Sequence, residues 1–351
     1  MSGYTTKKVN IGNVAIGGGE RVKIQSMCTT KTSDIEKTAA QMRALEISGC
    51  EIIRVSVLDE EDAKAIKELK RLSPMPIVAD IHFSHKLAVL AIESGCDKVR
   101  VNPGNIGGER EIAIVADCIK AHSIPMRVGA NTGSIEKQYL EKYGRSANAL
   151  VESALHNAAV FEKFGVSDIV VSVKASDVAL TYQAYTLLAT KCAYPLHIGV
   201  TEAGTEEMAI VKSSAALGAL LLNGIGDTLR ISITGDPVKE VVAARNLLRA
   251  IGIDKNYVNV ISCPTCGRCL WDCAALAQKV NEKVKDVKKP LKIAVMGCVV
   301  NGPGEAKDCD IGIAGAAEYC VIFKNGEIIS KIERGRAEEQ LFAEIEKLIN
   351  D

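Results

Sequence analysis

The most reactive residue types in this sequence form a run of cysteines, ISCPTCGRCLWDC, at residues 261–273. The thiols follow the spacing C-x2-C-x2-C-x3-C, which is typical of a segment that binds a [4Fe-4S] cluster. In a complete motif of this type Pro follows the fourth cysteine, which serves a second cluster, whereas Cys273 precedes Ala274 and no second run exists. The strong signal is therefore the pair Cys263 and Cys266, whose spacing lets two thiolates of one turn reach the same metal or cluster.

Cysteines are concentrated in the last quarter of the chain, which contains seven of the twelve: Cys263, Cys266, Cys269, Cys273, Cys298, Cys309 and Cys320. A second half-site is MGCVVNGPGE, in which a Gly- and Pro-rich loop can bring Glu305 back toward Cys298. Two hypotheses fit this pattern. A structural zinc site would add Cys298 and one of Cys269 or Cys309 to the first pair. A reactive iron–sulfur cluster would instead use the carboxylate as a ligand that a substrate oxygen can displace.

Charged and polar residues also stand where short apolar runs end in the first part of the chain: Arg54, Ser56, Asp80, His82, Arg100, Asn102, Arg127, Asn131, Lys174, His197, Thr201, Glu202 and Arg230. Any one of them can be explained as half of a structural ion pair between neighbouring strands. The whole set is better explained by function, because buried unpaired ions are costly. Four arginines and a lysine predict an anion site, and guanidinium groups suit phosphate or diphosphate oxygens. We expect a phosphorylated or diphosphorylated small molecule as the substrate.

Eight β-branched runs can supply the strands that position these side chains: residues 23–27, 52–57, 76–81, 98–103, 126–131, 168–176, 196–204 and 228–235. The segments between them have helical period, with Asp, Ser or Thr near the start and Gly near the end. Eight such units in about 250 residues predict a (β/α)8 TIM barrel, which carries its catalytic groups at the C-terminal strand ends. An open doubly wound sheet is the alternative, but it usually has a Gly-rich fingerprint after its first strand, and GGG at 17–19 precedes that strand here.

The repeat stops around residues 252–262, and the rest of the chain predicts a small α+β domain. We expect a helix that begins with a buried Cys273, a strand LKIAVMG, a long loop CVVNGPGEAKDCDIGIAG, a hairpin with KNGE as its turn, and a C-terminal helix. The chain is therefore divided into a TIM-barrel substrate domain, residues 1–255, and a cluster domain, residues 256–351.

The composition gives no argument for binding nucleic acid or an anionic membrane, because 43 Lys and Arg balance 43 Asp and Glu without a long block of one sign. The N-terminus lacks the apolar core of a signal peptide, and no apolar run reaches the roughly 18 residues of a membrane span. These features predict a cytoplasmic protein with reduced thiols. The remaining five cysteines lie on apolar elements and are expected to be small buried hydrophobes: Cys28, Cys50, Cys96, Cys118 and Cys192.

Several longer motifs are similar to those of the bacterial 4-hydroxy-3-methylbut-2-enyl diphosphate synthases of the methylerythritol phosphate pathway: NIGNVAIGGGE, VRVNPGNIG, VSVKASD, HIGVTEAG, GIGDTLRISI, SCPTCGR and MGCVVNGPGE. This resemblance runs from about residue 8 to the C-terminus and implies the short form of the family, with two domains. It implies a substrate-binding barrel and a C-terminal domain with one [4Fe-4S] cluster, ligated by Cys263, Cys266, Cys298 and Glu305. The family commonly has another residue at the position of Cys269, so Cys269 is either inert or an alternative ligand.

The resemblance also implies a reaction, the two-electron reductive ring opening of 2-C-methyl-D-erythritol 2,4-cyclodiphosphate with loss of water. Ferredoxin or flavodoxin would donate the electrons, and no nucleotide-binding fingerprint contradicts this. Glu202 is the expected acid or base for the departing hydroxyl, and Glu305 is expected to leave its iron. A homodimer, in which one subunit's cluster domain covers the partner's barrel, is implied as well. The expected substrate-binding residues are Arg54, Asp80, His82, Arg100, Asn102, Arg127, Asn131, Lys174, Arg230 and Ser262, with His197 orienting its neighbours.

Three other classes of protein fit the sequence less well. A barrel lyase or transferase with a structural zinc domain would act on a phosphorylated substrate without a reductant. A radical S-adenosylmethionine enzyme would need a C-x3-C-x2-C motif near the first strand, which this sequence lacks. A pure electron carrier would not need a barrel mouth lined with arginines.

Overall fold

The computed structural model describes residues 5–350, which fall into two compact units, the first ending at Ile253 and the second starting at Asp254. The domain boundary predicted between residues 255 and 256 stays a prediction. The strands are β1 (Val9–Ile11), β2 (Val14–Ile16), β3 (Lys23–Met27), β4 (Ile52–Val57), β5 (Ile77–Ile81), β6 (Lys98–Arg100), β7 (Met126–Asn131), β8 (Ile169–Lys174), β9 (His197–Ile198), β10 (Thr228–Leu229), β11 (Val258–Ser262), β12 (Leu291–Met296), β13 (Ile311–Gly315), β14 (Tyr319–Lys324) and β15 (Glu327–Glu333).

The helices of the first unit are α1 (Ile35–Ser48), α2 (Glu60–Leu72), α3 (His85–Glu93), α4 (Pro103–Ile106), α5 (Glu109–His122), α6 (Lys137–Tyr143), α7 (Ala147–Glu162), α8 (Val178–Lys191), α9 (Glu206–Leu222) and α10 (Pro237–Ala250). Those of the second unit are α11 (Cys273–Val284), α12 (Gly302–Glu305) and α13 (Ala337–Asn350), with a 3-10 turn at Arg334–Arg336. In the part of the chain covered by the structure, no helix is long and apolar enough to cross a membrane.

The first unit is a TIM barrel, as the eight apolar runs predict. Its parallel strands follow the order β8-β7-β6-β5-β4-β3-β10-β9. A parallel bridge between Val171 and Leu196 connects the outer strands β8 and β9 and so closes the barrel. The last two predicted strands are regular over only two residues each, and the polar residues after them lie in loops at the C-terminal end.

Several barrel helices begin at side chains that the sequence pattern marks as N-caps. Asp59 accepts a hydrogen bond from the backbone N–H of Asp62 at the start of α2, and Asp177 accepts one from Leu180 at the start of α8. Such caps satisfy N–H groups that have no partner within the helix. They fix where each helix begins, and therefore how long the loop is that connects it to the preceding strand.

The N-terminal end of the barrel is covered by a hairpin that the sequence analysis did not predict. Strands β1 and β2 pair antiparallel. Their buried residues Val9, Ile11 and Ile16 pack against the first inward-facing residues of three barrel strands, Ile52, Val78 and Val170. Strands of three residues give too short a pattern to separate from a loop in the sequence. This end of the barrel is consequently filled by aliphatic side chains.

The barrel interior changes from apolar to charged along each strand, because alternate residues face inward. On β4, Ile52 at the bottom is followed inward by Arg54, and on β5 Val78 is followed by Asp80. The intervening residues, such as Ile53, belong to the core between strands and helices. Period two therefore sends the charged residues to the inside of the barrel and toward its C-terminal mouth.

The second unit is a five-stranded mixed sheet in the order β11-β12-β13-β14-β15. Helices α11 and α13 contribute Leu276, Val280 and Leu341 to the core on this sheet. The hairpin between β14 and β15 turns at Asn325 and Gly326, both with positive φ, as the KNGE sequence predicts. The small α+β character expected for this part of the chain is confirmed.

Two strands of this sheet correct the sequence analysis. Residues 252–262 were expected to be a junction, yet Val258–Ser262 forms edge strand β11. The segment IGIAG was expected to belong to a long loop, yet it is the central strand β13. A Cβ at Gly312 would lie 2.2 Å from the ring of Phe323, so glycine is required at this position of the strand for packing.

Candidate functional site

The mouth of the barrel holds a group of cations on neighbouring strands. Within residues 5–350 they comprise Arg54, Lys98, Arg100, Arg127, Lys174 and Arg230, and two buried carboxylates, Asp80 and Glu240, pair with members of this group. Arg54 is 9 %, Arg127 3 % and Lys174 8 % exposed. Buried positive charge in this excess favours the binding of an anion.

Asp80 is the charge centre of one side of the mouth. Its carboxylate oxygens lie 3.2 Å from Arg100 Nη1 and 3.6 Å from Arg54 Nε. His82 Nε2 is 3.6 Å from Asp80 Oδ2. Burial alone would raise the pKa of Asp80, but Arg54, His82 and Arg100 together hold it far below its usual value. Asp80 is therefore ionised, and it fixes the direction of two guanidinium groups.

Glu240 fixes the direction of the Arg230 guanidinium group in the same way, although it does not lie on a strand. It lies on α10 and accepts hydrogen bonds from Arg230 Nε at 3.0 Å and Nη2 at 2.9 Å. Ser26 Oγ at 2.9 Å and the backbone N–H of Ile233 at 3.1 Å donate to the same carboxylate. Sequence reasoning missed this residue, because a single Glu in the first turn of a helix resembles an ordinary exposed residue.

Lys98 is a further interior cation that the sequence analysis missed. It shares the inward face of β6 with Arg100, and its side chain is fully buried. The signal was present, because period two from Arg100 and Asn102 leads back to residue 98. Burial, followed by the charges of Arg127 and Arg54, lowers the pKa of Lys98 well below its usual value.

Several of these buried groups have donors with no partner in the part of the protein that the structure covers. They are Lys98 Nζ, Arg127 Nε and Nη1, and one ring nitrogen of His197, Nε2. The other nitrogen of that ring, Nδ1, is 2.9 Å from Thr228 Oγ1. Burial lowers the pKa values of Arg127 and Lys174 as well, with neighbouring cations adding to the shift. A guanidinium keeps its proton because its ordinary pKa is so high, so the lowered pKa bears on the protonation of the two lysines more than on that of Arg127.

The remaining predicted residues of the mouth differ in exposure, and Asn102 is buried. Asn102 Oδ1 is 3.4 Å from the backbone nitrogen of Gly129 and accepts its hydrogen bond. Asn131 is half-buried at the end of β7. Glu202 is exposed in the loop after β9 and has φ of 52°, a conformation that non-glycine residues rarely adopt. Strain of this kind is frequent at functional sites.

In the second unit, the four predicted cluster ligands line one pocket. Cys263, Cys266, Cys298 and Glu305 surround a cavity of about 190 Å³, together with Arg268 and Asn301. The first two come from the loop after β11, and Cys298 and Glu305 lie at either end of the segment that follows β12. The parallel pairing of β11 with β12 brings the ends of these strands together, which explains why residues far apart in sequence share the pocket.

The backbone near this pocket favours thiolate groups. The N–H of Gly297 donates to Cys263 Sγ at 3.1 Å. The backbone N–H and side chain of Arg268 lower the pKa of Cys266, and metal ligation requires the deprotonated thiol. Thr265, between the two cysteines, has φ of 54°, which is an outlier for a β-branched residue. The turn is held in a strained shape that presents both thiols.

The other cysteines of this unit have different surroundings. Cys309 is buried in a small apolar cluster with Met296 and Phe323, and burial raises its pKa. Cys273 is buried at the start of α11, as predicted. Cys269 Sγ lies 3.6 Å from Cys273 Sγ. Among the residues described, no group of three His, Cys, Asp or Glu side chains is placed to hold a single metal ion.

Ser262 lies in the second unit, at the end of β11, and is exposed. Its predicted role in substrate binding stays a prediction.

Two family descriptions match the chain: a GcpE TIM-barrel domain over residues 6–245, and a GcpE protein C-terminal domain over residues 259–347. The chain is 52 % identical to a 4-hydroxy-3-methylbut-2-en-1-yl diphosphate synthase (flavodoxin) of Caldanaerobacter subterraneus over 99 % of this chain and 98 % of that protein. It is 49 % identical to the enzyme of the same name from Brevibacillus brevis, over 99 % and 96 % of the two chains.

Some solved structures share the fold of a large part of this chain at low sequence identity. Type I 3-dehydroquinate dehydratase from Clostridium difficile aligns with a TM-score of 0.52 at 12 % identity, covering 71 % of this chain and 97 % of that one. Dihydropteroate synthase from Yersinia pestis aligns with a TM-score of 0.51 at 10 % identity, covering 70 % and 97 %. At such low identity these matches show a shared fold and nothing about chemistry.

Proposed function

The chain belongs to the GcpE family of 4-hydroxy-3-methylbut-2-en-1-yl diphosphate synthases, and on this premise we propose how its residues serve the reaction. It is an oxidoreductase of the non-mevalonate pathway to isoprenoids. We propose that the barrel mouth binds 2-C-methyl-D-erythritol 2,4-cyclodiphosphate and that the cysteine pocket holds one [4Fe-4S] cluster.

The observation that carries the substrate assignment is the excess of buried cations with free donors. Arg127 points two N–H groups into the barrel without a partner among the described residues. A diphosphate offers oxygen acceptors for several guanidinium forks at once. Binding it would compensate charges whose burial costs free energy in the unliganded protein. The proposed phosphate ligands are Arg54, Arg100, Arg127, Lys174 and Arg230.

Two carboxylates then act as positioning residues. Asp80 holds Arg54 and Arg100, and Glu240 holds Arg230 through both of its oxygens. These contacts leave the guanidinium groups fixed before substrate arrives, so little orientation entropy is lost on binding. Asn102 and Asn131 supply neutral hydrogen bonds, and His82 is held near the mouth by Asp80. His197 has the supporting role of orienting the groups above it.

The loss of the hydroxyl group requires a proton, and Glu202 is the proposed acid or base for this step. It is exposed at the C-terminal end of the barrel, where catalytic residues of this fold are found. Its strained backbone fixes the direction in which the side chain leaves the loop. A carboxyl group in such a place can take or give a proton once the substrate is bound within hydrogen-bond distance of it.

The residues of the cysteine pocket fit an iron–sulfur cluster. Three thiols with a carboxylate line it, an N–H donates to one sulfur, and Arg268 favours the thiolate form of another. The proposed ligands are Cys263, Cys266, Cys298 and Glu305. When bound, such a cluster supplies electrons one at a time. Among these four residues Glu305 would be the exchangeable ligand, since oxygen ligands bind iron–sulfur clusters less firmly than thiolates do.

Flavodoxin is the proposed electron donor, because the relatives carry it in their names; ferredoxin is the second candidate. A homodimer that combines one subunit's cluster domain with the partner's barrel is part of the proposal. A mixture of Cys298→Ala and Glu202→Gln chains tests it. If the proposal is right, each mixed dimer has one intact site of two, so an equimolar mixture of the two inactive variants regains about a quarter of wild-type activity. Mixed dimers that form and stay inactive would refute it.

The test of the whole proposal is the metal content of the anaerobically purified chain. We expect about four iron and four sulfide atoms per chain and a brown colour. Calorimetry should then show tight binding of the cyclodiphosphate and much weaker binding of a monophosphate of the same sugar. One zinc and no sulfide would overturn the cluster, and equal affinity for both phosphates would overturn the barrel assignment.

A further inference from the structure

Next to the proposed cluster pocket lies a pair of thiols that the proposed function does not use. Cys269 Sγ and Cys273 Sγ are 3.6 Å apart. Cys273 is 1 % exposed, whereas Cys269 is only partly buried. From this geometry we propose that Cys269 and Cys273 form a reversible disulfide, an oxidation site that keeps the neighbouring Cys263 free to ligate the cluster.

The chain segment that carries the pair is fixed at several points. The indole N–H of Trp271 donates to the carbonyl of Met296 at 3.2 Å. Arg334 Nη1 donates to the carbonyl of Leu270 at 3.0 Å, and the backbone N–H of Cys273 donates to the carbonyl of Trp271 at 3.0 Å. The two sulfurs are therefore held near each other. A disulfide of about 2.0 Å requires them to approach further by roughly half their present separation.

Gly297 connects this pair to the cluster pocket. A Cβ placed on it would lie 2.8 Å from Cys269 Sγ and 2.9 Å from Cys263 Sγ. Both sulfurs thus flank the same glycine, so Cys269 has two thiols in its vicinity. If it paired with Cys263, the cluster would lose a ligand. Pairing with Cys273 avoids this outcome.

The chemistry is thiol–disulfide exchange with a low-molecular-weight disulfide as the oxidant. The thiolate of Cys269, the more accessible thiol, attacks the oxidant and releases one thiol, leaving a mixed disulfide. Cys273 then attacks the sulfur of Cys269 and releases the second thiol. Two protein thiols are oxidised, one small disulfide is reduced to two thiols, and the two protons go to the released sulfurs.

The disulfide itself does not depend on the proposed function, but its protective role rests on Cys263 being a ligand. The probe is oxidised glutathione, added without oxygen to the full chain with its metal bound. Trypsin cleaves after Lys255, Arg268 and Lys279, so Cys263 and Cys266 fall in one peptide and Cys269 and Cys273 in the next. Mass spectrometry separates the two possible pairings.

We expect the peptide of residues 269–279 to appear two hydrogen atoms lighter, while the iron content stays unchanged. Trp271 is the only tryptophan of the sequence, so disulfide formation should quench the emission, and dithiothreitol should restore it. Cys118→Ser is the matched control and should behave as wild type. In Cys273→Ser the lighter peptide should be absent, and iron should be lost several-fold faster than in wild type.

Two results would overturn the inference. A cross-link between the peptides 256–268 and 269–279 in wild type would show that Cys269 or Cys273 pairs with a thiol of the other segment instead. Unmodified peptide together with unchanged fluorescence would show that the pair is not oxidised. Cys273→Ala provides the same test if the serine variant does not fold. Zinc in place of iron would refute the cluster while the peptide masses still report on the disulfide.

Discussion

The barrel mouth and the cysteine pocket hold reactive side chains in opposite ways. At the mouth the groups stand on β-strands and are buried, as Arg127 is, with donors that lack partners within the described chain. In the pocket the cysteines stand on loops and Glu305 ends the short helix α12, and Cys266 and Glu305 are exposed. A strand fixes the direction of its side chains and can hold a charged group in a desolvated position. A loop allows a metal ligand to move. The first arrangement suits the binding of a multiply charged anion, and the second suits an exchangeable metal ligand.

The largest effect that distinguishes the two regions is expected when a thiol that only the pocket needs is removed. Cys298→Ala should lose most of its iron and all measurable turnover, because three ligands cannot complete the set. Iron and sulfide analysis with an activity assay measures this. The matched control is Cys309→Ala, which removes a buried thiol of the neighbouring apolar cluster. Equal iron loss in both variants would contradict the assignment.

Arg127→Met tests whether the mouth stores uncompensated charge. Substrate binding should weaken by about 2–3 kcal/mol, roughly 30- to 150-fold, because a charge-assisted contact is lost. The unliganded chain should become more stable, since an unpartnered buried cation is replaced by an apolar side chain of similar length. Calorimetry and thermal unfolding measure the two effects. Lower stability together with unchanged affinity would mean that this residue is structural.

Glu240→Gln should have the opposite effect on stability and make the unliganded chain less stable. The variant leaves Arg230 without its buried counter-charge, so we expect a loss of about 2–4 kcal/mol in the free energy of unfolding. Denaturant unfolding measures it. Glu206→Gln is the matched control, because its partner Lys239 is exposed and such pairs contribute about 0–1 kcal/mol. A loss of stability no larger than that of the control would mean that Glu240 does not hold Arg230 in position.

The smallest expected effect is an uptake of protons when a diphosphate binds. Lys98 and Lys174 have lowered pKa values in the folded chain, and a nearby anion favours their charged forms. Calorimetry in buffers of different ionisation enthalpy measures the uptake. In the unliganded chain, the unfolded state binds more protons than the folded state once the pH exceeds the lowered pKa of these lysines, so stability should rise with pH from there to the unfolded lysine pKa near 10.4. Lys98→Met should reduce that slope.

The barrel and its charged mouth were predictable because strand period determines which residues face inward. Arg54, Asp80 and Arg127 were found as charged residues near the ends of the apolar runs that form these strands. Glu240 was not, since a helix residue reaches the interior only through tertiary packing. Lys98 fits the period of two residues on β6. It was overlooked because it lies at the start of its strand.

The second unit was harder to predict for a physical reason. The spacing of Cys263 and Cys266 indicates a shared metal, but the partners depend on which loop ends meet. That is decided by the pairing of β11 with β12, and β11 was taken for a junction. The positions of Cys298 and Glu305 therefore rested on family resemblance, and the closeness of Cys269 to Cys273 was not anticipated.

The hairpin under the barrel has a consequence for how the charged interior is filled. Val9, Ile11 and Ile16 occupy the N-terminal end with aliphatic side chains, through which neither ions nor water pass readily. Solvent consequently reaches the cationic side chains above them from one end of the barrel only. Their electric field is directed outward through the mouth, and an approaching diphosphate meets an attractive potential that has a single entrance.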